Sequence, residues 1–324
     1  MKRMEWVQAE NQAIREEMAR DNRVFVIGED VGLNGGAYST IKNLFHEFPG
    51  RVIDSPISEN GLIGIGIGAA ITGLRPIVDI MFGDFFGVCA DQISNQLAKN
   101  KYMFGGKAVL PVVVKTQQGG YVQNAAQHSS CNEAWFCHVP GLKIVMPSCA
   151  ADAYGLMKSA IRDDNPVLFI DQKAGYDDKG SMPDGEYLIP LGVADIKRLG
   201  KDVTIIATSL MVSKALRASQ ELSATGIDAE VVDPRTLVPL DKKTIINSVK
   251  KTGRAVIVHE AVEYCGWGAE MAAEIANEAF EYLDAPVERV AAPFCPVPYS
   301  RSLELAMLPS EERITAAVRK VCAY

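Results

Sequence analysis

The chain has 324 residues, with 33 Lys or Arg and 40 Asp or Glu, so its formal net charge is −7. This length is typical of about two domains. The acidic balance argues against nucleic-acid binding and against an anionic membrane surface, so we expect neither partner. The most apolar run, 62–74, is too short to span a bilayer.

The seven cysteines are scattered and form no C-x-x-C pair. This pattern predicts free thiols rather than a disulfide framework or a zinc site. The N-terminal residues are polar and amphipathic, so we expect no signal peptide. Together these features predict a cytoplasmic protein.

Short β-branched runs alternate with helical patterns along the first half, which is typical of an α/β fold with parallel sheets. The runs are almost continuously apolar, so helices are expected on both faces of the sheet. The expected strands are 24–27, 76–80, 109–114, 144–146 and 167–170. The expected helices are 7–20, 61–72, 91–99 and 150–162.

A segment rich in Gly, Pro and Asp, residues 171–190, predicts a linker between two domains. We place the domains at 1–187 and 188–324. The second half repeats the α/β pattern. Its expected strands are 203–207, 229–232, 255–258 and 287–291, and its expected helices include one that begins after Asp241 and one at 269–282.

Charged residues follow the first buried strand, and parallel sheets bind ligands beyond the carboxyl ends of their strands. Glu29 directly follows the strand, although a solvated loop would look the same. Further along, Glu59 lies between Ile57 and Leu62, next to a run of glycines. A partly desolvated carboxylate there suits a group that shares a proton.

The glycine run after Glu59 reads G-x-G-x-G rather than the dinucleotide fingerprint G-x-G-x-x-G. We also expect no strand to lead into it. The alternative interpretation is a glycine-rich helix that packs closely at an interface.

Aromatic residues and a histidine follow later strands. Phe82, Phe85 and Phe86 are either core aromatics or one wall for a flat ring. His128 lies in a loop of small polar residues, where a functional role and an ordinary one are equally compatible with the sequence. Cys131, Cys137 and His138 lack zinc-ligand spacing.

Segments spread over nearly the whole chain resemble the β subunit of thiamine-diphosphate-dependent 2-oxo acid dehydrogenases. These are the decarboxylating components of the pyruvate, branched-chain 2-oxo acid and acetoin dehydrogenase complexes. The segments that carry the resemblance are GEDVGLNGGAY (28–38), RVIDSPISENGLIGIGIGAAITGLRPIVD (51–79), DQISNQLAKNKYMFGGKAVLPVVV (91–114), AAQHS (125–129), PGLKIVMPS (140–148), SAIRDDNPVLF (159–169), VVDPRTLVPLD (231–241) and YLDAPVERV (282–290).

This resemblance implies a transketolase-type pyrimidine-binding domain followed by a transketolase C-terminal domain. It implies that Glu59 hydrogen-bonds a ring nitrogen of the aminopyrimidine and that Phe85 lies beside that ring. The remainder of the pocket would be Glu29, Ile57, Ser58 and Met81. His128 would be a catalytic proton donor or an orienting group for the substrate.

The resemblance also suggests a structural potassium ion, as found in some relatives. Its candidate ligands are Val112, Ala160, Ile161, Asp163 and Asn165. The alternative is an ordinary helix end and turn before Pro166.

The chain contains no GDG motif, which in self-sufficient thiamine enzymes helps to bind magnesium and the diphosphate. We therefore expect a separate α subunit to hold both. The resemblance implies two α and two β chains docked on a lipoyl acyltransferase core, with activity only in that assembly. The alternatives are a nucleotide-dependent oxidoreductase and a non-catalytic scaffold subunit.

The resemblance implies that the substrate is a 2-oxo acid such as pyruvate, or acetoin. Residues 84–108 most resemble acetoin dehydrogenase β chains, and bacterial pyruvate dehydrogenase β chains follow closely. Ser130 and residues 263–268 depart from the family pattern. We expect the first to affect substrate choice and the second to concern packing or partner docking.

Overall fold

The computed structural model describes residues 2–324, which form two compact units. The first unit comprises the chain up to Gln118 together with Trp135–Leu191. The second comprises Gly119–Ala134 and Gly192–Tyr324. The sequence had suggested a single division at 187/188. It contained no sign that 119–134 belongs with the later residues, because the composition does not change there.

The first unit is built on a parallel sheet. Its elements are β1 (Lys2–Glu5), α1 (Trp6–Arg20), β2 (Val24–Gly28), α2 (Leu44–Glu47), β3 (Val52–Asp54), α3 (Glu59–Ile71), β4 (Arg75–Ile80), α4 (Ala98–Met103), β5 (Val113–Gln118), α5 (Glu133–Cys137, where the chain returns to this unit), β6 (Lys143–Val145), α6 (Ala150–Arg162), β7 (Val167–Gln172) and β8 (Lys179–Met182). The strands pair in the order β6-β7-β5-β4-β2-β3, all in parallel.

The residues of β2, β4, β5 and β7 are all buried, so both faces of this sheet are covered, as the apolar runs predict. Two expected elements differ in detail. β5 begins at Val113 rather than at 109, because Pro111 has no N–H for a strand ladder. The helix expected at 91–99 is a π-helix over Gln92–Leu97 that continues into α4.

The interpretation of residues 171–190 as a linker is wrong for its first part. Asp171 and Gln172 complete β7, and Tyr176 is buried. β8 then pairs antiparallel with β1, from Lys2↔Met182 to Glu5↔Lys179. The Gly- and Asp-rich composition reflects tight turns around a short strand.

The second unit has a five-stranded sheet in the order β14-β13-β10-β11-β9. Its elements are β9 (Asp195–Arg198), β10 (Val203–Ala207), α7 (Leu210–Ala224), β11 (Ala229–Asp233), β12 (Thr236–Val238), α8 (Lys242–Thr252), β13 (Ala255–Val262), α9 (Trp267–Glu278), β14 (Glu288–Ala292), α10 (Arg301–Met307) and α11 (Glu311–Cys322). All pairs are parallel except the edge pair β11–β9. The expected cap of α8 is confirmed, since Asp241 accepts a hydrogen bond from the Thr244 N–H at 3.1 Å.

The core of the first unit contains a buried charged cluster. Lys115 on β5 lies 3.4 Å from Glu10, 3.5 Å from Asp79 and 3.9 Å from Asp171. Trp6 donates from Nε1 to Asp171 at 3.2 Å. We call these four charged residues the Lys115 cluster.

No helix within residues 2–324 combines the length and the apolar character needed to cross a membrane.

Candidate active site

The candidate site of the first unit lies where β2 and β4 end. These strands are parallel neighbours, and Gly28 at the end of β2 pairs with Asp79 on β4. A Cβ at Gly28 would lie 2.9 Å from the backbone oxygen of Asp79, so this position requires glycine. Glu29 and Met81 follow the two strands directly, so both are placed at the same edge of the sheet.

Glu59 is the first residue of α3 and is buried, with 8% of its surface exposed. Ser58, just before the helix, has an extended backbone, and its carbonyl accepts the Leu62 N–H at 2.8 Å. Acidic side chains are favoured at this end of a helix because the helix dipole is positive there. The burial of Glu59 agrees with the partial desolvation that the sequence predicts.

Glu29 lies close enough to Glu59 for the two carboxylates to repel each other. Burial raises the pKa of Glu29, and the carboxylates of Glu59, Asp30 and Asp54 raise it further. A pair of carboxyl groups in which one holds a proton more tightly than usual is suited to proton sharing.

Phe85 lies in a 3₁₀ turn over Gly83–Gly87 that follows β4. Its ring contacts Phe82 edge-on, with 5.8 Å between ring centroids. The buried Cys89 donates its thiol to the Phe85 carbonyl at 3.5 Å. Burial raises the pKa of Cys89 to about 12, with the Glu59 carboxylate as the next cause. The Phe85 turn therefore lies near enough to Glu59 for the Glu59 charge to act on the Cys89 thiol.

The predicted pocket residues therefore gather at one edge of the sheet. Glu29 and Glu59 interact, the turn that carries the half-buried Phe85 lies near Glu59 through Cys89, and Met81 follows β4 at the same edge. Ile57 and Ser58, in contrast, are both exposed, Ile57 with 71% of its surface. This arrangement can bind a flat, nitrogen-containing ring and exchange a proton with it.

The glycine run lies inside α3 and not in a turn between a strand and a helix. Our expectation that no strand precedes it is wrong, because β3 ends at Asp54. The nucleotide interpretation does not gain from this, because the dinucleotide fingerprint requires its glycines in the turn. α3 instead exposes Ile65 and Gly68.

His128 belongs to the second unit and lies half-buried on a loop between Gly119 and Ser130. Its backbone N–H donates to Ala125 O at 3.4 Å. The Ser130 hydroxyl, which departs from the family pattern, donates to Ala126 O at 3.3 Å. This bond ties Ser130 into the same turn as His128.

Four of the five residues predicted for potassium lie at the end of α6 or in the turn after it. Val112 lies just before β5, and its carbonyl accepts a hydrogen bond from the N–H of Val167 on β7 at 2.9 Å. The side chains of Asp163 and Asn165 are engaged by protein cations. Lys143 pairs with Asp163, and Lys101 donates to Asn165 Oδ1 at 2.5 Å. The carbonyl of Ile161 accepts from Arg75 at 3.0 Å.

The unusual segment 263–268 packs around a buried histidine. A Cβ at Gly266 would lie 2.6 Å from Cε1 of His259, and one at Gly268 would lie 2.7 Å from its Nε2. Tyr264 also contacts Phe294, with ring centroids 5.4 Å apart. The glycines of this segment therefore allow close packing around His259. Packing was one of the two roles that we expected for the segment, and partner docking was the other.

Sequence reasoning missed Cys89, Glu260 and Glu304. Cys89 lies one helical turn after Phe85, and this spacing was the available signal. Glu260 interrupts an apolar strand, which should have marked it as buried for a reason. Glu304 lies on a short helix far along the chain from its partner, so no local pattern could have indicated it.

Comparison with known proteins matches the chain to two domain families. Residues 2–178 match the transketolase pyrimidine-binding domain, and residues 192–314 match the transketolase C-terminal domain. A solved structure described as a split-gene transketolase, an inactive β4 tetramer, superposes with a TM-score of 0.80 at 25% identity. The superposition covers 99% of this chain and 98% of that one.

Three curated relatives are similar over almost the whole chain. The β subunit of acetoin:2,6-dichlorophenolindophenol oxidoreductase of Cupriavidus necator is 46% identical, covering 96% of this chain and 95% of the relative. The same subunit of Bacillus subtilis is 46% identical, with 94% and 93% covered. The pyruvate dehydrogenase E1 component subunit β of Rhizobium meliloti is 45% identical, with 96% and 68% covered.

Proposed function

We propose that this chain, which belongs to the transketolase-like family of E1 β subunits of pyruvate and acetoin dehydrogenases, works with thiamine diphosphate. In this proposal it is the β subunit of an oxidoreductase that decarboxylates a 2-oxo acid or cleaves acetoin. The acyl group then passes to a lipoyl group. The observation that carries the proposal is the buried Glu59 beside Glu29 and the Phe85 turn.

Thiamine diphosphate supplies the stabilisation of negative charge at the reacting carbon when it is bound. Glu59 would accept a hydrogen bond from a ring nitrogen of its aminopyrimidine, or donate one to it. Because Glu59 is buried, water competes little for that bond. Glu29, whose pKa is raised by burial and by the Glu59 carboxylate, would line the same pocket.

The walls of the pocket would orient the ring. Phe85 offers a flat apolar face, and its edge contact with Phe82 limits its rotation. The Cys89 thiol stays protonated near neutral pH because its pKa is raised to about 12, so it adds no second negative charge beside Glu59. Met81 and Ser58 complete the rim.

We propose His128 as the residue that orients the substrate or donates a proton to it. Support comes from its position on a compact loop with a hydrogen-bonded turn at Ala125. A histidine is suited to this work because its imidazole ring can both donate and accept a hydrogen bond. His128→Gln should reduce acyl transfer more than cofactor binding.

We propose that a separate α subunit holds magnesium and the diphosphate, because this chain has no GDG motif. The relatives are named as β subunits, which implies an α partner for them. α3 supports a close partner contact here, since it exposes Ile65 and Ile71 at 53% and 54% and offers empty space beside Gly68. Two α and two β chains on a lipoyl acyltransferase core complete the proposal.

The structural potassium ion stays a prediction. The side-chain oxygens of Asp163 and Asn165 bind Lys143 and Lys101, so backbone carbonyls such as that of Ala160 would have to supply the ligands. Thermal unfolding in KCl and in NaCl at equal ionic strength tests it. A higher midpoint in KCl supports the site, and equal midpoints reject it.

The experiment that tests the function is co-purification with the neighbouring α-like chain. Dye-linked oxidation of pyruvate, branched 2-oxo acids and acetoin is then measured with thiamine diphosphate and magnesium. Turnover of one of these substrates by the pair, and not by this chain alone, is the expected result. NAD reduction by this chain alone would instead favour the nucleotide-dependent alternative, and an inactive pair would favour a scaffold. A separate fractionation of the cells, with this chain detected in each fraction, tests the predicted cytoplasmic location.

A further inference from the structure

The loop that carries His128 has an unusual backbone at its start. The φ angle is 89° at Gly119, 70° at Tyr121, 59° at Gln123 and 58° at Ala125. Only the first of these residues is glycine, and the left-handed region is unfavourable for residues with a Cβ. A loop with this alternation keeps its shape only when surrounding contacts hold it.

Two buried carboxylates provide such contacts. Glu260 on β13 accepts the Gly120 N–H at 2.6 Å. Glu304 on α10 accepts the Gln123 N–H with both oxygens, at 3.2 and 3.3 Å. Alternating left-handed residues turn backbone N–H groups toward one side and form a concavity that binds anions. Here the anionic groups are the carboxylates of Glu260 and Glu304.

The segment around Glu304 contacts the loop at further points. The Tyr121 hydroxyl donates to Pro309 O at 2.7 Å. A Cβ at Gly120 would lie 2.6 Å from Leu308 Cδ1 and 3.2 Å from Glu304 Oε1. The bonds of a backbone N–H to a charged acceptor are stronger than those to a neutral one. Since Glu304 is fully buried, water cannot replace them easily.

Four residues separate Gln123 from His128, and a hydrogen bond closes part of this stretch. The two residues are joined through Ala125, whose carbonyl accepts the His128 N–H at 3.4 Å. The far end of the loop is closed by the bond from Gly119 N to Ser130 O at 3.4 Å. Because the loop is closed at both points, we expect a shift at Gln123 to move His128.

We propose that Glu304 is a positioning residue, whose carboxylate holds the backbone at Gln123 and thereby sets the position of His128. The claim about the loop stands on geometry alone. The claim that this position matters for acyl transfer rests on the proposed function.

The test compares Glu304→Ala and Glu304→Gln in the assembled enzyme. Glutamine keeps one acceptor oxygen of the same reach and is the conservative rescue. The matched control is Glu230→Gln, because Glu230 is also fully buried in the second unit and accepts a backbone N–H, from Gly200 at 3.3 Å. It makes no hydrogen bond to the loop in the residues described.

Amide hydrogen exchange is the first measurement. Exchange at residues 120–128 should be fastest in Glu304→Ala, intermediate in Glu304→Gln, and slow in the wild type and in the Glu230→Gln control. Equal exchange in all four proteins would overturn the proposal, whether or not the enzyme turns over. This readout separates a failure of the positioning role from a failure of the proposed function.

The second measurement is kinetic. Acyl transfer to free lipoamide should fall by about 10- to 100-fold in Glu304→Ala and by less in Glu304→Gln, because small misplacement of a catalytic group has effects of this size. The dissociation constant for thiamine diphosphate should stay near the wild-type value. Transfer at the wild-type rate in both variants, or an equal loss of transfer and cofactor binding, would overturn the role of Glu304 in the reaction.

Discussion

The ammonium group of Lys115 lies 3.4 Å from the Glu10 carboxylate, and neither side chain is exposed. Asp79 and Asp171 complete the Lys115 cluster, so three carboxylates face one ammonium in the core. With all groups charged, the cluster would hold two uncompensated negative charges, which a buried site tolerates poorly. It therefore has a strong tendency to hold a proton.

Glu10→Gln should make the protein relatively more stable as the pH rises. Burial, then the Asp171 carboxylate, raises the pKa of Glu10 well above its usual value. Burial also raises that of Asp171 to about 6. Lys115, Asp79 and Tyr176 are the other titratable groups that face Glu10. A carboxyl group with a raised folded pKa binds more protons when folded, so wild-type stability falls as the pH rises above about 4.5.

The measurement is urea unfolding of both proteins between pH 5 and pH 8. The difference in unfolding free energy should grow in favour of Glu10→Gln by up to about 1.4 kcal/mol per pH unit. A difference that is independent of pH would show that Glu10 is ionised in the folded protein throughout this range.

Glu17→Gln on the same helix should show the opposite dependence. Burial opposes ionisation of Glu17, but hydrogen bonds from Arg162 and Arg20 lower its pKa. Its contribution to stability is therefore present above its unfolded pKa and is lost as the pH falls. The variant should be less stable than the wild type at pH 7, and the deficit measured by urea unfolding should shrink toward pH 4. A constant deficit would contradict this.

His259→Leu should remove an acid sensitivity of the second unit. Burial, then the nearby Arg289, lowers the pKa of His259 to about 4. The unfolded chain binds the proton first, so wild-type stability should fall as the pH drops from about 6.5 to about 4. Neither ring nitrogen has a hydrogen-bond partner among residues 2–324, so leucine sacrifices no bond.

Thermal unfolding across this pH range checks the prediction, with the exposed His46→Gln as control. His259→Leu should flatten the acid side of the profile by up to about 3 kcal/mol. If the profile of His259→Leu equals those of the control and the wild type, His259 is not the group responsible.

Gly68→Ala should have opposite effects on the chain and on its assembly. An added Cβ at Gly68 meets nothing within 4 Å, so alanine should stabilise α3 by about 0.5–1 kcal/mol. If the α subunit packs closely on this face, the same methyl group should weaken the complex. Ser223→Ala, on an exposed position of α7, is the control for helix propensity. Thermal unfolding of the chain and titration with the α subunit separate the two effects, and unchanged affinity would remove α3 from the interface.

The parts of the fold that follow from local patterns could be predicted from the sequence. The apolar runs around Val26, Ile77 and Ile205 placed buried parallel strands correctly. The edge strand β9, the β1–β8 pair and the short β12 carry too few residues for a visible period.

The candidate site was partly visible because Glu29 and Glu59 stand next to elements that the sequence already indicates. Their repulsion, and the role of Cys89 between Glu59 and Phe85, depend on distances that only the folded chain sets. The bond between Glu304 and Gln123 is the extreme case, since the two residues are far apart in the sequence.

Glu59→Gln in the complex with the α subunit tests most directly whether Glu59 activates the cofactor. The control is Glu47→Gln, which removes an exposed carboxylate from the same unit. Dye-linked substrate oxidation should fall by about 10²- to 10⁴-fold in Glu59→Gln, because a proton-transfer group contributes that much. Assembly and thermal stability should match those of the control. Oxidation at the control's rate, in a correctly assembled Glu59→Gln complex, would contradict the account.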